Sequence, residues 1–115
     1  MAFKWPLAKC TQLEKVYLCR ARGITDVSPL ASSPLLTDLS LYGLRLVLDI
    51  AHLSACKQLL HINLSACVAV TDISPLAKCT KLRRVGLSGI PCHIQAQRSM
   101  WPWYDENDKT VSIRL

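Results

Sequence analysis

Apolar residues recur along this chain at a fixed interval of twenty-three residues. Four columns of the repeat are apolar in every unit: Leu7, Leu30, Leu53 and Leu76; Leu13, Leu36, Leu59 and Leu82; Val16, Leu39, Ile62 and Val85; and Leu18, Leu41, Leu64 and Leu87. Longer strings return in the same frame, since residues 25–31 recur almost unchanged as residues 71–77. A fixed period in this range predicts a stacked solenoid, in which each unit buries its apolar side against its neighbours.

Two apolar positions in each repeat, such as Val16 and Leu18, alternate with polar ones. Alternation with a period of two is typical of a strand with one buried face. Strands that recur in register form a parallel sheet, with neighbouring strands about 4.8 Å apart. The pattern therefore predicts one strand per repeat, centred near residues 16–18, 39–41, 62–64 and 85–87.

The second part of each repeat predicts a short helical turn. Ser28 and Ser74 each stand directly before a proline. We expect both serines to cap free N–H groups, with the proline in the first helical position. An aspartate precedes each turn, at Asp26, Asp49 and Asp72. These carboxylates are expected to accept backbone N–H bonds rather than to bind a metal.

Taken together, the repeat follows the pattern Leu-x-x-Leu-x-Leu-x-x-(Asn/Cys)-x-(Leu/Ile), with only Cys67 matching its Asn/Cys position. This pattern resembles the leucine-rich repeat family. The string at residues 24–31, Ile-Thr-Asp-Val-Ser-Pro-Leu-Ala, is similar to bacterial internalin-type repeats, and the added cysteines resemble trypanosomatid leucine-rich repeat proteins. The resemblance implies a right-handed α/β solenoid, with a parallel sheet on the concave side and short helical turns on the convex side.

The repeats predict a domain over residues 6–94, with about four units, followed by a non-repeat tail over residues 95–115. The tail contains Trp101, Trp103 and Tyr104 and ends in an alternating stretch, residues 111–115. It either covers the open end of the stack or forms a flexible appendage. No capping unit precedes the first repeat, so a truncated copy of a larger repeat protein is one alternative.

Composition narrows the class of protein. The chain has 115 residues, of which 50% are hydrophobic, and a net charge of +6. It contains no apolar run of the roughly 18 residues that a membrane helix needs, and no apolar segment typical of a secretory signal. We therefore expect no membrane span and an intracellular, cytoplasmic location, although a fragment of a larger or surface protein has the same pattern.

The six cysteines predict a reduced core rather than a metal site or disulfides. Cys10, Cys56 and Cys79 share one apolar repeat position, which Ser33 completes, and Cys67 lies in an inward position. No Cys-x-x-Cys pair is present, and Cys92-His93 has no partners at zinc spacing. We expect no cofactor.

Cys19, Asp38 and His61 are expected to be neighbours on the outward face of the sheet. This open sheet neither excludes water nor offers an oxyanion site, so we do not expect the protein to be an enzyme.

The outward face of the predicted sheet is the candidate functional surface. Its candidate partner-binding residues are Lys15, Tyr17, Asp38, Ser40, Tyr42, His61, Asn63 and Arg84, and Cys19, Ser65, Gly86 and Ser88 share the face. Tyr and Arg are residue types that anchor protein interfaces. The leading hypothesis is a non-catalytic module that binds a protein, with no small-molecule substrate. The alternative is a nucleic-acid-binding surface around Arg20, Arg22, Arg83 and Arg84.

Overall fold

The computed structural model describes residues 13–19, 23–105, 107 and 110–115. The predictions for Leu7, Cys10, Arg20 and Arg22 lie outside the described residues. Within the described ranges, no helix is long and apolar enough to cross a membrane.

Five short strands form one parallel sheet in chain order. They are β1 (Lys15–Tyr17), β2 (Asp38–Ser40), β3 (His61–Asn63), β4 (Arg84–Gly86) and β5 (Ser112–Arg114). The first four pair in the repeat register, with Val16 opposite Leu39, Leu39 opposite Ile62 and Ile62 opposite Val85. The middle residue of each of these four strands is buried. The strands predicted from the alternation are confirmed.

The return segments are 3₁₀ helices at Ser28–Ser32, Ala51–Ala55 and Ser74–Lys78. A proline lies in the first turn of the first and third, as predicted. The prediction that serines cap them is wrong. Val27 and Ile73 stand at the N-cap positions and Ser28 and Ser74 begin the helices, with no side-chain cap hydrogen bond.

The aspartates take the capping role instead. The backbone N–H groups of Ser28, Ala51 and Ser74 donate to Asp26, Asp49 and Asp72 at 2.8, 2.8 and 2.9 Å. An Asx side chain has the right reach to accept a bond from the backbone two residues on. Hydrogen bonds from Ser28, above all from its backbone N–H, lower the pKa of Asp26. Hydrogen bonds from Ser74, above all from its hydroxyl, lower the pKa of Asp72.

The core lies between the sheet and the 3₁₀ helices and is almost wholly aliphatic. Cys56, Cys67, Cys79 and Ser33 are all at most 1% exposed. Each buried thiol donates to a backbone carbonyl of the preceding repeat: Cys56 to Leu30, Cys67 to Leu41 and Cys79 to Leu53. Burial, together with the nearby Cys56, raises the pKa of Cys79 to about 11. These cysteines are therefore structural thiols of low nucleophilicity.

The C-terminal segment packs over the last repeat. It follows α1 (Cys92–Gln95) and contains a 3₁₀ helix at Ala96–Met100 and β5. Trp101 is 1% exposed, and its Nε1 donates to the Ile73 carbonyl at 2.9 Å. Trp103 donates to the Leu76 carbonyl, also at 2.9 Å. Trp103 thereby makes the same hydrogen bond to a leucine carbonyl that Cys56 and Cys79 make in the preceding units.

Candidate functional site

The outward residues of the sheet form ordered rows across the strands. The register aligns one row as Lys15, Asp38, His61, Arg84 and Ser112, and a second as Tyr17, Ser40, Asn63, Gly86 and Arg114. The rows arise because alternate residues of every strand point away from the core. We call the surface formed by these rows, with Tyr42, Ser65 and Ser88 beyond the strand ends, the concave face.

An open depression of about 740 Å³ runs over the concave face. Seven of the eight predicted partner-binding residues line it: Tyr17, Asp38, Ser40, Tyr42, His61, Asn63 and Arg84. Lys15 lies on the same face but is not part of the lining. Ser65, Ser88, Ser112 and Arg114 complete the polar lining. The structure therefore brings together side chains from all five strands.

Ser112 and Arg114 were missed as site residues because they fall outside the repeat frame. Ile113 pairs with Val85, so the step between these two strands (113 − 85) is longer than the step of one repeat, such as that from Ile62 to Val85. The one sequence signal was the alternating stretch at residues 111–115, which has the pattern of a strand but is not in phase with the others.

The β1–β2 side of the concave face combines aromatic and acidic groups. Tyr17 is 62% exposed. Asp38 Oδ2 lies 3.4 Å from His61 Nδ1, and Cys19 Sγ lies 3.5 Å from Ser40 Oγ. The thiol therefore contacts a hydroxyl, while the imidazole contacts the carboxylate. Because the depression is open, this arrangement does not enclose a reacting group away from water.

The β3–β4 side is arranged around Gly86. A Cβ atom at Gly86 would lie 2.6 Å from Asn63 Oδ1 and 3.0 Å from Ser65 Oγ, so glycine leaves the space that these side chains occupy. Asn63 Oδ1 accepts the Ser65 backbone N–H at 2.9 Å. Ser65 Oγ accepts the Ser88 backbone N–H at 3.2 Å. Both oxygens are thus used as acceptors, which leaves the Asn63 amide NH₂ and the Ser65 hydroxyl hydrogen as donors.

Charge is unevenly distributed over the concave face. Lys15, Arg84 and Arg114 carry positive charge and Asp38 is the acid among the aligned rows. Asp38 sits in register between Lys15 and His61. In the described part of the chain, no carboxylate lies within ion-pair distance of Arg84 or Arg114, and the Asp38 carboxylate contacts the His61 imidazole. The β4–β5 side is therefore electropositive.

The geometry is shared with solved internalins from Listeria monocytogenes, which are leucine-rich repeat proteins. One internalin (InlF) superposes with a TM-score of 0.55 and 21% identity, over 71% of this chain and 30% of its own. The chain has the leucine-rich repeat fold. Internalin C2 superposes with a TM-score of 0.51 and 19% identity, over 75% of this chain and 46% of its own. This chain thus matches less than half the length of either internalin.

The sequence matches no protein-family model and no curated protein. Within the leucine-rich repeat fold, Cys67 fills the Asn/Cys position, where its Sγ donates to the Leu41 carbonyl at 2.8 Å. The apolar Leu44 and Ile90 fill the same column in the adjacent repeats and are buried. Burial therefore maintains this leucine-rich repeat column where no side-chain hydrogen bond is available.

Metal-binding side chains are dispersed over this leucine-rich repeat structure. Among residues 13–19, 23–105, 107 and 110–115, no three His, Cys, Asp or Glu side chains form a group able to hold a metal ion. Cys92 and His93 are neighbours on α1, and both are exposed. The five described cysteines are free thiols.

Proposed function

We propose that this protein is a non-catalytic interaction module that binds a partner protein through its concave face. The proposed contact residues are Lys15, Tyr17, Asp38, Ser40, Tyr42, His61, Asn63 and Arg84. The observation that carries the proposal is the placement of Tyr17, Tyr42 and Arg84 around one open depression. Aromatic residues and arginine supply much of the binding energy of protein interfaces.

The shape of the face favours a protein over a small molecule. Four intervals between five strands span about 19 Å at about 4.8 Å each. A small ligand is usually held in a concave, mostly enclosed pocket, whereas this depression is open and is built from side chains of separate repeats. An extended or convex segment of a partner contacts them together.

Two further features of the protein belong to this proposal. We assign the repeat domain to residues 6–94 and the covering segment to residues 95–115, because the Trp101 and Trp103 indoles bond to carbonyls of the last repeat. We also propose an intracellular location, because Cys56, Cys67 and Cys79 are buried free thiols and reduced cysteines persist in reducing compartments.

The test measures partner affinity for concave-face variants. A partner is captured by crosslinking from cell extract, identified and purified, and its affinity is measured by calorimetry. Tyr17→Ala and Tyr42→Ala are each expected to weaken binding by about 1–2 kcal/mol, or by more if the residue is a hot spot. Leu48→Ala is the matched control, because Leu48 is 63% exposed but does not line the depression.

Other results would favour the alternatives. A partner that ignores both tyrosine variants and responds to Leu48→Ala would place the interface elsewhere. Binding to nucleic acid that falls steeply with salt, follows Arg20, Arg22 and Arg83 and ignores Tyr42→Ala would favour the nucleic-acid hypothesis. If no interaction found in the cell responds to either surface, the truncated-copy hypothesis is preferred.

A further inference from the structure

We infer that the β3–β5 side of the concave face recognises acidic side chains of the partner, specifically two Asp or Glu residues at alternate positions of an extended segment. This inference rests on the proposed function and specifies its partner. It starts from the two arginines, Arg84 and Arg114, which are exposed and line the same depression.

The separation of the two arginines sets the spacing of the acidic residues. Arg84 pairs with Ser112, and Gly86 pairs with Arg114, so Arg84 and Arg114 lie one strand and two residues apart. With strands about 4.8 Å apart and about 3.3 Å of rise per residue, their Cα atoms are about 8 Å apart. Alternate side chains of an extended peptide share one face and are about 7 Å apart. The spacing of the two arginines therefore matches the spacing of two alternate acidic residues in such a segment.

The chemistry of the arginines suits carboxylates. A guanidinium offers paired N–H donors and binds a carboxylate through two parallel hydrogen bonds. In the described structure neither Arg84 nor Arg114 has a carboxylate partner of its own. Both charges are therefore available to a ligand, and a carboxylate that binds here displaces no internal ion pair.

A neutral side chain on the adjacent strand β3 also acts as a donor. Gly86 lies between Asn63 and Arg114 in the register, and the absence of its Cβ allows Asn63 and Ser65 to lean over it. The Ser65 backbone N–H uses the Asn63 oxygen, and the Ser88 N–H uses the Ser65 oxygen. Ser65 itself is buried, so the group left for a ligand is the Asn63 NH₂, which donates to acceptors such as carboxylate oxygens.

The charges on the rest of the concave face determine which side of it attracts the acidic segment. Asp38 is the acid of the aligned rows and lies on the β2 side, next to Lys15 and His61 in the register. Its charge is partly compensated there. An acidic segment is therefore attracted to the β4–β5 side and not to the β1–β2 side, where the exposed Tyr17 offers apolar contacts instead.

The experiment uses a fluorescein-labelled acidic peptide of alternating Glu and Ser, with an otherwise identical Gln and Ser peptide as the neutral control. Binding to the full chain is followed by fluorescence anisotropy at low salt. Arg84→Gln and Arg114→Gln are each expected to weaken binding roughly threefold to fivefold, as for one exposed ion pair. The double variant is expected to weaken it about tenfold or more, provided the two contacts are independent.

Two further variants separate specific recognition from general attraction. Arg45→Gln removes the same charge from an exposed residue that does not line the depression, and it is expected to leave the affinity unchanged. Asn63→Asp keeps the Oδ1 acceptor of Ser65 but replaces the NH₂ donor by a negative oxygen, so it is expected to weaken binding. Circular dichroism checks that every variant keeps its fold.

The outcomes that overturn the inference are specific. Equal binding of the neutral peptide, or equal loss on Arg45→Gln, shows that the arginine pair does not recognise carboxylates. An oligothymidylate of equal charge that binds more tightly through the same arginines assigns the site to nucleic acid. If a captured partner needs Tyr17 and Tyr42 but not the arginines, the proposed function stands and this inference fails. If the arginines bind the acidic peptide but the partner ignores all concave-face variants, the proposed function fails.

Discussion

Trp101 provides a direct test of how the C-terminal segment stabilises the stack. Its indole is 1% exposed, stacks on Trp103 with ring centroids 5.0 Å apart, and donates to the Ile73 carbonyl at 2.9 Å. Trp101→Phe keeps an aromatic ring in this place but removes the N–H donor and the second ring. The substitution therefore changes one hydrogen bond and the local packing, and leaves the repeats themselves intact.

The magnitude follows from these two losses. The Ile73 carbonyl also accepts the Leu76 backbone N–H at 3.2 Å, so it keeps a partner and the lost hydrogen bond costs only about 1 kcal/mol. The smaller ring leaves part of the site empty, which costs about a further 1–2 kcal/mol by analogy with large-to-small core substitutions. We expect a total loss of about 2–3 kcal/mol in the free energy of unfolding, a large share of a small domain's stability.

The assay is urea unfolding followed by far-ultraviolet circular dichroism, which does not depend on tryptophan fluorescence. With a slope of about 1–2 kcal/mol/M, the midpoint should fall by more than about 1 M. Trp103→Phe is the matched control, with a smaller loss expected because Trp103 is only partly buried. A loss for Trp101→Phe no larger than that of an ordinary surface substitution, about 0.5 kcal/mol, would refute the reasoning.

Trp101→Phe is also expected to destabilise one end of the stack more than the rest. In a solenoid each unit contacts only its neighbours, so the damage should be greatest at the C-terminal end. The amides of Ser112 and Leu87, which bond to Arg83 and Arg114 at 2.7 Å, should lose hydrogen-exchange protection more than the Leu41 amide does. Uniform loss along the chain would show that the segment does not act locally.

Two further predictions concern titrating groups. The pKa of Asp72 is lowered from its ordinary value of 3.8, so its contribution to stability is present above that pH and is lost as the pH falls through the folded pKa. Asp72→Asn should therefore flatten the fall of the urea midpoint below about pH 4, and an unchanged profile would contradict the assignment. Alkylation with iodoacetamide at neutral pH, mapped by mass spectrometry, should label the exposed Cys19 and Cys92 quickly and Cys79 slowly, because burial raises the pKa of Cys79 to about 11. Equal labelling rates, a disulfide or a bound metal would contradict the assignment of the buried cysteines to the core.

The repeat geometry could be predicted from the sequence because every unit has the same pattern of buried and exposed positions. A stack of identical units places equivalent residues in equivalent surroundings, so a column of apolar residues is enough to locate a buried strand position. Val16, Leu39, Ile62 and Val85 lie in register in the sheet as that argument requires. The aspartates before the 3₁₀ helices were equally readable, because a bond to the backbone two residues on is local.

The N-cap residues of the 3₁₀ helices could not be predicted from local residue preferences alone. A serine before a proline is compatible with an N-cap, but Asp26 stands two residues earlier and accepts both the N–H and the O–H of Ser28. The carboxylate, a charge-assisted acceptor, forms the stronger bond. Val27 therefore stands at the N-cap position and Ser28 begins the helix, where its hydroxyl donates to the carboxylate instead of accepting a backbone N–H.

The sequence by itself determined the period, the buried columns and the side of each strand that faces outward, since all of these recur in every repeat. Only the tertiary structure decided how the stack ends. The connection to β5 is longer than one repeat, which moves Ile113 out of phase while it still pairs with Val85. The C-terminal segment covers the end of the stack through contacts between residues that do not occupy equivalent positions of the repeat. One such contact joins the Trp103 indole to the Leu76 carbonyl. The same closure brings Arg114 onto the concave face.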